Sequence, residues 1–121
     1  MKLCSHLCLL TDGTLGRFPT ADIDAHGRIA SLTLHEVLEE EAGMVFIGGI
    51  MVSNAHGLPR ETTVSGADDL RNKLKGHEVS AGSDDIGVLT GINLLSLEGK
   101  GRLSPIVGML SQGAPGITEQ V

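Results

Sequence analysis

Glycine is the residue type that most constrains the fold of this chain. Seventeen of the 121 residues are glycine, about twice the usual share of roughly 7%, and they are dispersed rather than periodic. Glycine weakens the interior of helices and is favoured in tight turns and β-bulges. We therefore predict a mainly β fold, either a small β-sandwich or an open barrel, with one or two short helices.

The core of such a fold must be aliphatic. The chain contains no Trp and no Tyr, and Phe18 and Phe46 supply its only phenyl rings. A chain of 121 residues forms one domain of ordinary size and buries roughly two thirds of the surface of its unfolded state. It can therefore build a core from Leu, Ile, Val, Met and Ala without disulfides.

Composition also argues against two classes of partner. The net charge of −6 repels phosphate backbones, and two phenyl rings offer few platforms for stacked bases. The sequence has no apolar run of about 18 residues, the length that crosses a membrane. The apolar N-terminal segment is too short for a secretory signal. We expect a cytoplasmic protein with neither nucleic-acid nor membrane partners.

Several segments carry the pattern of β-strands. Residues 2–10 are apolar and short, and residues 20–25 and 28–32 alternate on either side of His26-Gly27, which predicts a hairpin. Residues 44–53 are the most apolar, and Gly48-Gly49 predicts either a bulge or a tight turn between two short strands. Residues 98–101 predict a turn, and residues 102–110 predict another strand.

Three segments carry helix signals. Residues 33–42 have Thr33 as an N-cap with Glu36 three residues later, which is a capping box. Residues 66–75 place acids early and bases late, in agreement with the helix dipole. Residues from Ser83 onward can start a third helix through residues 86–97, although two glycines weaken it.

Cys4, His6 and Cys8 would share one face if residues 2–10 form one straight strand. Such a face is either a partial metal site or a buried face with two free thiols. Residues on one face of a strand lie about 7 Å apart, which is far for three ligands of a single zinc ion. We favour the buried thiols.

The hairpin and the apolar strand together resemble the amino-terminal segment of metal-dependent amidohydrolases. The hairpin contains Gly27-Arg28-Ile29, and residues 46–53 lead to Asn54-Ala55-His56. Residues 90–95 and 101–105 are similar to the carboxyl-terminal return of that family, and Ser83-Asp84-Asp85 resembles the loop that holds its last metal-binding Asp. The resemblance implies the composite β-domain, a small β-sandwich that precedes the family's catalytic barrel.

The barrel itself cannot be present. A (β/α)₈ barrel needs at least about 200 residues, whereas 26 residues separate His56 from Ser83. The family's second metal-binding His, which would be separated from His56 by one residue, is also missing, since Gly57 and Leu58 follow His56. We therefore predict a single domain over 1–121, with 1–56 and 80–110 as the β-domain core, 57–79 as a short bridge and 111–121 as a mobile tail.

Because the barrel and the second His are missing, we expect a structural or protein-interaction domain that resembles the family's non-catalytic domain, without enzymatic activity and without a cofactor. The apolar face that a barrel would cover then needs a partner, and we expect a homodimer or a separate protein to cover it.

The alternative is a small metal-dependent hydrolase acting on amide or cyclic amide bonds. Zinc or another divalent metal would bind His56, His77 and Asp84 at a site assembled across a dimer, with Asp84 also catalytic. His56 and Asp84 come from the resemblance, and His77 lies near Asp84 in sequence. Imidazoles and carboxylates are the ligands of hydrolytic zinc sites.

Overall fold

The predicted mainly β fold is confirmed by a computed structural model, which describes residues 1–38 and 41–106. These residues form two sheets that pack as a small β-sandwich. The strands are β1 Lys2–Cys4, β2 Leu7–Leu9, β3 Leu15–Arg17, β4 Thr20–Ile23, β5 Ile29–Thr33, β6 Met44–Phe46, β7 Ile50–Val52, β8 Glu61–Ser65, β9 Gly87–Thr90 and β10 Glu98–Pro105. A 3-10 helix spans Ala55–Gly57, and helix α1 spans Ala67–Lys73.

Three connections carry the chain from one sheet to the other. The four-stranded sheet has the order β5-β4-β1-β6, and the six-stranded sheet has the order β3-β2-β7-β9-β10-β8. The chain passes from one sheet to the other between β1 and β2, between β3 and β4, and between β6 and β7. The predicted strand over 2–10 is therefore two strands, and Gly48-Gly49 does separate two short strands.

Strand alternation sorts the aliphatic residues into two layers. Met51 and Val88 point into an inner apolar cluster between the sheets, while their neighbours Ile50 and Leu89 point to an outer apolar cluster beneath α1. The inner cluster comprises Leu3, Cys8, Ala21, Ile23, Ile29, Met51, Val79, Ile86, Val88 and Ile106. The outer cluster comprises Leu9, Ile50, Val52, Ala55, Val64, Leu70, Leu74, Leu89, Ile92 and Leu97.

The helix predicted over 33–42 is wrong for its described residues. Thr33 is the last residue of β5 and pairs with Thr20, and residues 34–38 form neither helix nor strand. The N–H of His35 donates to the C=O of Arg17 over 3.2 Å, which holds the chain against β3. Sheet pairing overrides a local capping signal here, because helix propensity is a weak preference. Residues 39 and 40 lie outside the described residues.

Residues 86–97 do not form the predicted third helix. Residues 87–90 form β9, which pairs with β7 and β10. A Cβ on Gly87 would lie 2.9 Å from the Cβ of Ala55, so glycine allows the close approach that a central strand needs.

The turn predicted at 98–101 is also displaced. The side chain of Asn93 accepts the N–H groups of Leu95 and Ser96, and this Asx turn reverses the chain earlier. Residues 98–101 therefore open β10.

Two other predictions are confirmed. Residues 20–33 form the hairpin of β4 and β5, and residues 67–73 form α1 with Asp68 and Asp69 in its first turn. The predicted bridge over 57–79 supplies β8 and α1, and Leu70 and Leu74 are fully buried. The predicted tail over 111–121, and residues 107–110 of the predicted last strand, lie outside the described residues.

Candidate functional site

Three loops meet at one end of the six-stranded sheet and bring the predicted site residues into one region. The N–H of Ser53 donates to the C=O of His77, and the N–H of Asn54 donates to the C=O of Asp84 over 3.1 Å. The N–H of Ala55 donates to the C=O of Asp85 over 2.8 Å. These backbone bonds join the loop after β7 to the segment after α1 and to the approach to β9.

His56 is paired with Asp85 rather than with Asp84. Its ring Nδ1 hydrogen-bonds Oδ2 of Asp85, and its backbone N–H donates to the same oxygen over 2.9 Å. The His56 side chain is 84% exposed, whereas the Asp85 side chain is 21% exposed. The carboxylate of Asp85 is therefore held within the fold, and the imidazole of His56 lies in solvent.

Asp85 is the ionised partner. Burial raises the pKa of Asp85, but the hydrogen bonds that Asp85 accepts from the backbone and ring of His56 outweigh burial and hold that pKa below its usual value. An ionised carboxylate only accepts hydrogen bonds, so the ring proton of His56 resides on Nδ1. The lone pair of the neutral ring is consequently on Nε2.

Two residues next to His56 in this region have a backbone conformation that few residues adopt. Asn54 has φ of 50° and Asp85 has φ of 53°, both left-handed. Asn and Asp are the residues other than glycine that tolerate this region best. Held left-handed conformations of this kind are found preferentially at functional sites.

His77 is held by a backbone acceptor. Its Nδ1 lies 2.9 Å from the C=O of Ser53, so its proton is on Nδ1 as well. A Cβ on Gly57 would lie 3.5 Å from Cε1 of His77, which places the half-buried ring beside the chain that follows His56. The absence of a side chain at Gly57 leaves room for that ring.

Asp84 is exposed and bonds the backbone of its neighbour. Its Oδ1 accepts the N–H of Asp85 over 2.8 Å, and the residue is exposed. Within residues 1–38 and 41–106, no three His, Cys, Asp or Glu side chains are grouped as metal ligands. The ligand set of His56, His77 and Asp84 thus stays a prediction. The partner of His56 is the neighbouring Asp85, which sequence reasoning did not single out.

Cys4, His6 and Cys8 do not share one face. Cys4 lies in the four-stranded sheet and Cys8 in the six-stranded sheet, because the chain changes sheets at Ser5-His6. Both thiols are free and buried. Burial raises the pKa of Cys8 to about 11, so its thiol is protonated at neutral pH.

The outer face of the six-stranded sheet is only partly covered. Six strands about 4.8 Å apart span about 24 Å, whereas α1, with seven residues, is only about 10 Å long. Leucines around the outer cluster are accordingly half-buried: Leu7, Leu15, Leu58, Leu94 and Leu103. Leu95 follows Leu94 and is 98% exposed.

In the described part of the chain, no helix combines the length and the apolar character that a membrane crossing requires.

Comparisons with known proteins do not assign the chain to a family. No family model, curated protein or solved structure matches the chain.

Proposed function

We propose that this chain is a structural or protein-interaction β-domain that acts as a homodimer. The proposal extends the resemblance to the composite domain of amidohydrolases, with a second copy taking the position of the missing barrel. We also propose a cytoplasmic location, because Cys4 and Cys8 are both free and disulfides are rare in that compartment.

The partly covered outer face carries this proposal. Both faces of the six-stranded sheet are apolar, and one of them packs on the four-stranded sheet. The other has α1 and the loops beside it, which leave five leucines half-buried around the outer cluster. A second copy meeting this face about a twofold axis would bury the same leucines on both chains.

Light scattering tests this association. We expect the protein at micromolar concentration to have about twice the 12.6 kDa mass of one chain. Leu95→Glu places a charge beside the outer face without disturbing the core, because Leu95 is 98% exposed. This variant should be monomeric.

Val37→Glu is the matched control for the same substitution. Val37 is 63% exposed and follows β5, which belongs to the other sheet. The Val37→Glu variant should therefore remain a dimer. A monomeric wild-type protein would refute self-association and would direct attention to a separate protein partner.

A metal-dependent hydrolase of amide or cyclic amide bonds is the second candidate. It is favoured by the way both imidazoles are held: Nδ1 of His56 bonds a carboxylate, and Nδ1 of His77 bonds a backbone carbonyl. Metal-binding histidines are commonly oriented in this way, which leaves Nε2 for the metal. Asp84 from the same or the partner chain would complete the set.

Elemental analysis of tag-free protein distinguishes the two candidates. The hydrolase requires about one zinc or other divalent ion per chain or per dimer, and it requires that ion to be lost in both His56→Ala and His77→Ala. His26→Ala is the control, because His26 lies in the exposed turn between β4 and β5. Metal-free protein, or metal that survives both substitutions, would refute the hydrolase.

A further inference from the structure

The His56–Asp85 pair exposes a ring nitrogen to solvent at one end of the six-stranded sheet. We infer that Nε2 of His56 reacts with neutral activated acyl groups, such as aryl esters and thioesters, with Asp85 as its positioning residue. This activity goes beyond the proposed interaction role and needs no metal.

The orientation of the ring is the first step of the argument. Oδ2 of Asp85 receives both the ring Nδ1 and the backbone N–H of His56, so one carboxylate oxygen fixes the residue at two points. The ring proton therefore stays on Nδ1, and the lone pair on Nε2 is directed away from the carboxylate. Free histidine lacks this fixed orientation, because nothing holds its proton on either nitrogen.

Access to the nitrogen is the second step. The His56 side chain is 84% exposed, so an acyl donor can reach Nε2 without any rearrangement of the fold. The short 3-10 helix that carries His56 is held at its other residues as well, since the N–H of Gly57 donates to the C=O of Asn54 over 3.0 Å. The nucleophile thus lies on a fixed turn at the surface.

Charge selects the class of substrate. Asp85 bonds His56, Asp84 precedes Asp85 in the chain, and the whole chain has a net charge of −6. Anionic donors such as acyl phosphates are repelled by this surface. A neutral ester or thioester meets no such repulsion, and the positive charge that develops on the acylated ring is stabilised by Asp85.

The chemical step balances with water alone as the co-reactant. The Nε2 lone pair attacks the acyl carbonyl, an N–C bond forms, and the C–O bond to the aryloxide breaks. The resulting acyl-imidazolium keeps its proton on Nδ1, hydrogen-bonded to the carboxylate of Asp85. Water then adds to the acyl carbon and gives up one proton to solvent, the N–C bond breaks, and the carboxylic acid leaves with restoration of the neutral ring.

Hydrolysis of p-nitrophenyl acetate by the full chain, with a chelator present throughout, tests the inference. We expect the second-order rate constant for nitrophenolate release to fall at least about tenfold in His56→Gln, a smaller factor than the roughly 10²–10⁴ that a positioned side chain contributes in enzymes. His26→Gln is the matched control, because His26 is also exposed but bonds Asp24 through its backbone N–H. It should retain the wild-type rate.

The role of Asp85 needs a readout that folding alone would not change. Asp85→Asn keeps a residue that tolerates the left-handed backbone while removing the charge. We expect slower release of nitrophenolate and, by ¹⁵N NMR of the unmodified protein, loss of the fixed Nδ1-protonated state of the His56 ring. A wild-type ring with its proton on Nε2 would overturn the geometry on which the inference rests.

The remaining outcomes are equally decisive. An unchanged rate in His56→Gln, or an equal loss in His26→Gln, would overturn the inference. A rate that vanishes with chelator and returns with zinc would overturn it in favour of the metal-dependent candidate. Because light scattering of each variant is measured separately, failure of this activity leaves the homodimer proposal unaffected.

Discussion

His6 and Gly49 are bonded to each other in both directions where the chain changes sheets. The N–H of Gly49 donates to Nδ1 of His6 over 3.1 Å, and the C=O of Gly49 accepts the backbone N–H of His6 over 3.2 Å. The rings of Phe18 and Phe46 lie 6.1 and 5.0 Å from the imidazole, centroid to centroid. Both phenyl rings of the chain therefore meet at the crossing point between the sheets.

Gly49→Ala should be among the most destabilising single substitutions in the chain. Gly49 has φ of 140°, and a Cβ there would lie 2.3 Å from the C=O oxygen of Leu89. Strain and overlap together should lower the free energy of unfolding by about 3 kcal/mol or more, measured by urea denaturation.

Gly13→Ala is the matched control for that substitution. Gly13 also has a left-handed φ, of 86°, but a Cβ there meets no atom within 4 Å. Gly13→Ala should lower the free energy of unfolding by only about 1–2 kcal/mol. Equal losses at the two positions would show that the contact with Leu89 is not what restricts position 49.

His6→Leu should destabilise the crossing point through the loss of one acceptor. The N–H of Gly49 would then be left without the ring nitrogen that it bonds now, at a cost of about 1–3 kcal/mol. His6→Asn places an amide oxygen near the position of Nδ1 and should recover part of the loss. Hydrogen exchange at the Gly49 amide provides the measurement, and equal exchange in both variants would contradict the bond's importance.

Stability should fall as the pH drops below about 4, which is near the ordinary pKa of an aspartic acid. Thr14 lowers the pKa of Asp12, the N–H of Arg28 lowers that of Asp24, and the N–H of Ser65 lowers that of Asp69. Because these pKa values are lowered by folding, their contribution is present above the unfolded value and is lost as the carboxylates are protonated.

Thermal unfolding between pH 7 and pH 3 provides the measurement of that acid sensitivity. Asp24→Asn is uncharged at every pH, so it should be less stable than the wild type at pH 7 and should lose less on acidification. An equal acid sensitivity of the variant and the wild type would contradict a contribution from the turn that Asp24 closes.

Cys8 should resist alkylation in the native protein. Its thiol is buried, and burial raises its pKa to about 11, so little of the reactive thiolate is present at pH 8. Iodoacetamide followed by mass spectrometry should modify Cys8 only after denaturant is added. Rapid modification of the folded chain would show that the inner cluster opens readily.

The sequence predicts those elements whose pattern agrees with their tertiary pairing. Alternation around His26-Gly27 predicts the hairpin, and Gly48-Gly49 predicts the break between β6 and β7. Thr33 with Glu36 predicts a helix that residues 33–38 do not form, because pairing of Thr33 with Thr20 continues β5 instead. Local propensity is informative only where the surrounding sheet does not oppose it.

The candidate site, too, is predicted only in part from the sequence. The motif Ser83-Asp84-Asp85 indicates that a carboxylate lies near His56, but two adjacent aspartates have the same spacing to within one residue. Which of them faces the imidazole depends on the left-handed backbone of Asp85. That conformation is imposed by the bonds between the two loops, and no short sequence pattern encodes it.

The three connections between the sheets affect how the protein unfolds. Separating the sheets requires more than exposing the apolar layer between them, since three covalent backbones connect them near His6, Phe18 and Gly49. We therefore expect the two sheets to open together. Amides in the centres of both sheets should exchange through openings of one common free energy, that of a single cooperative unit.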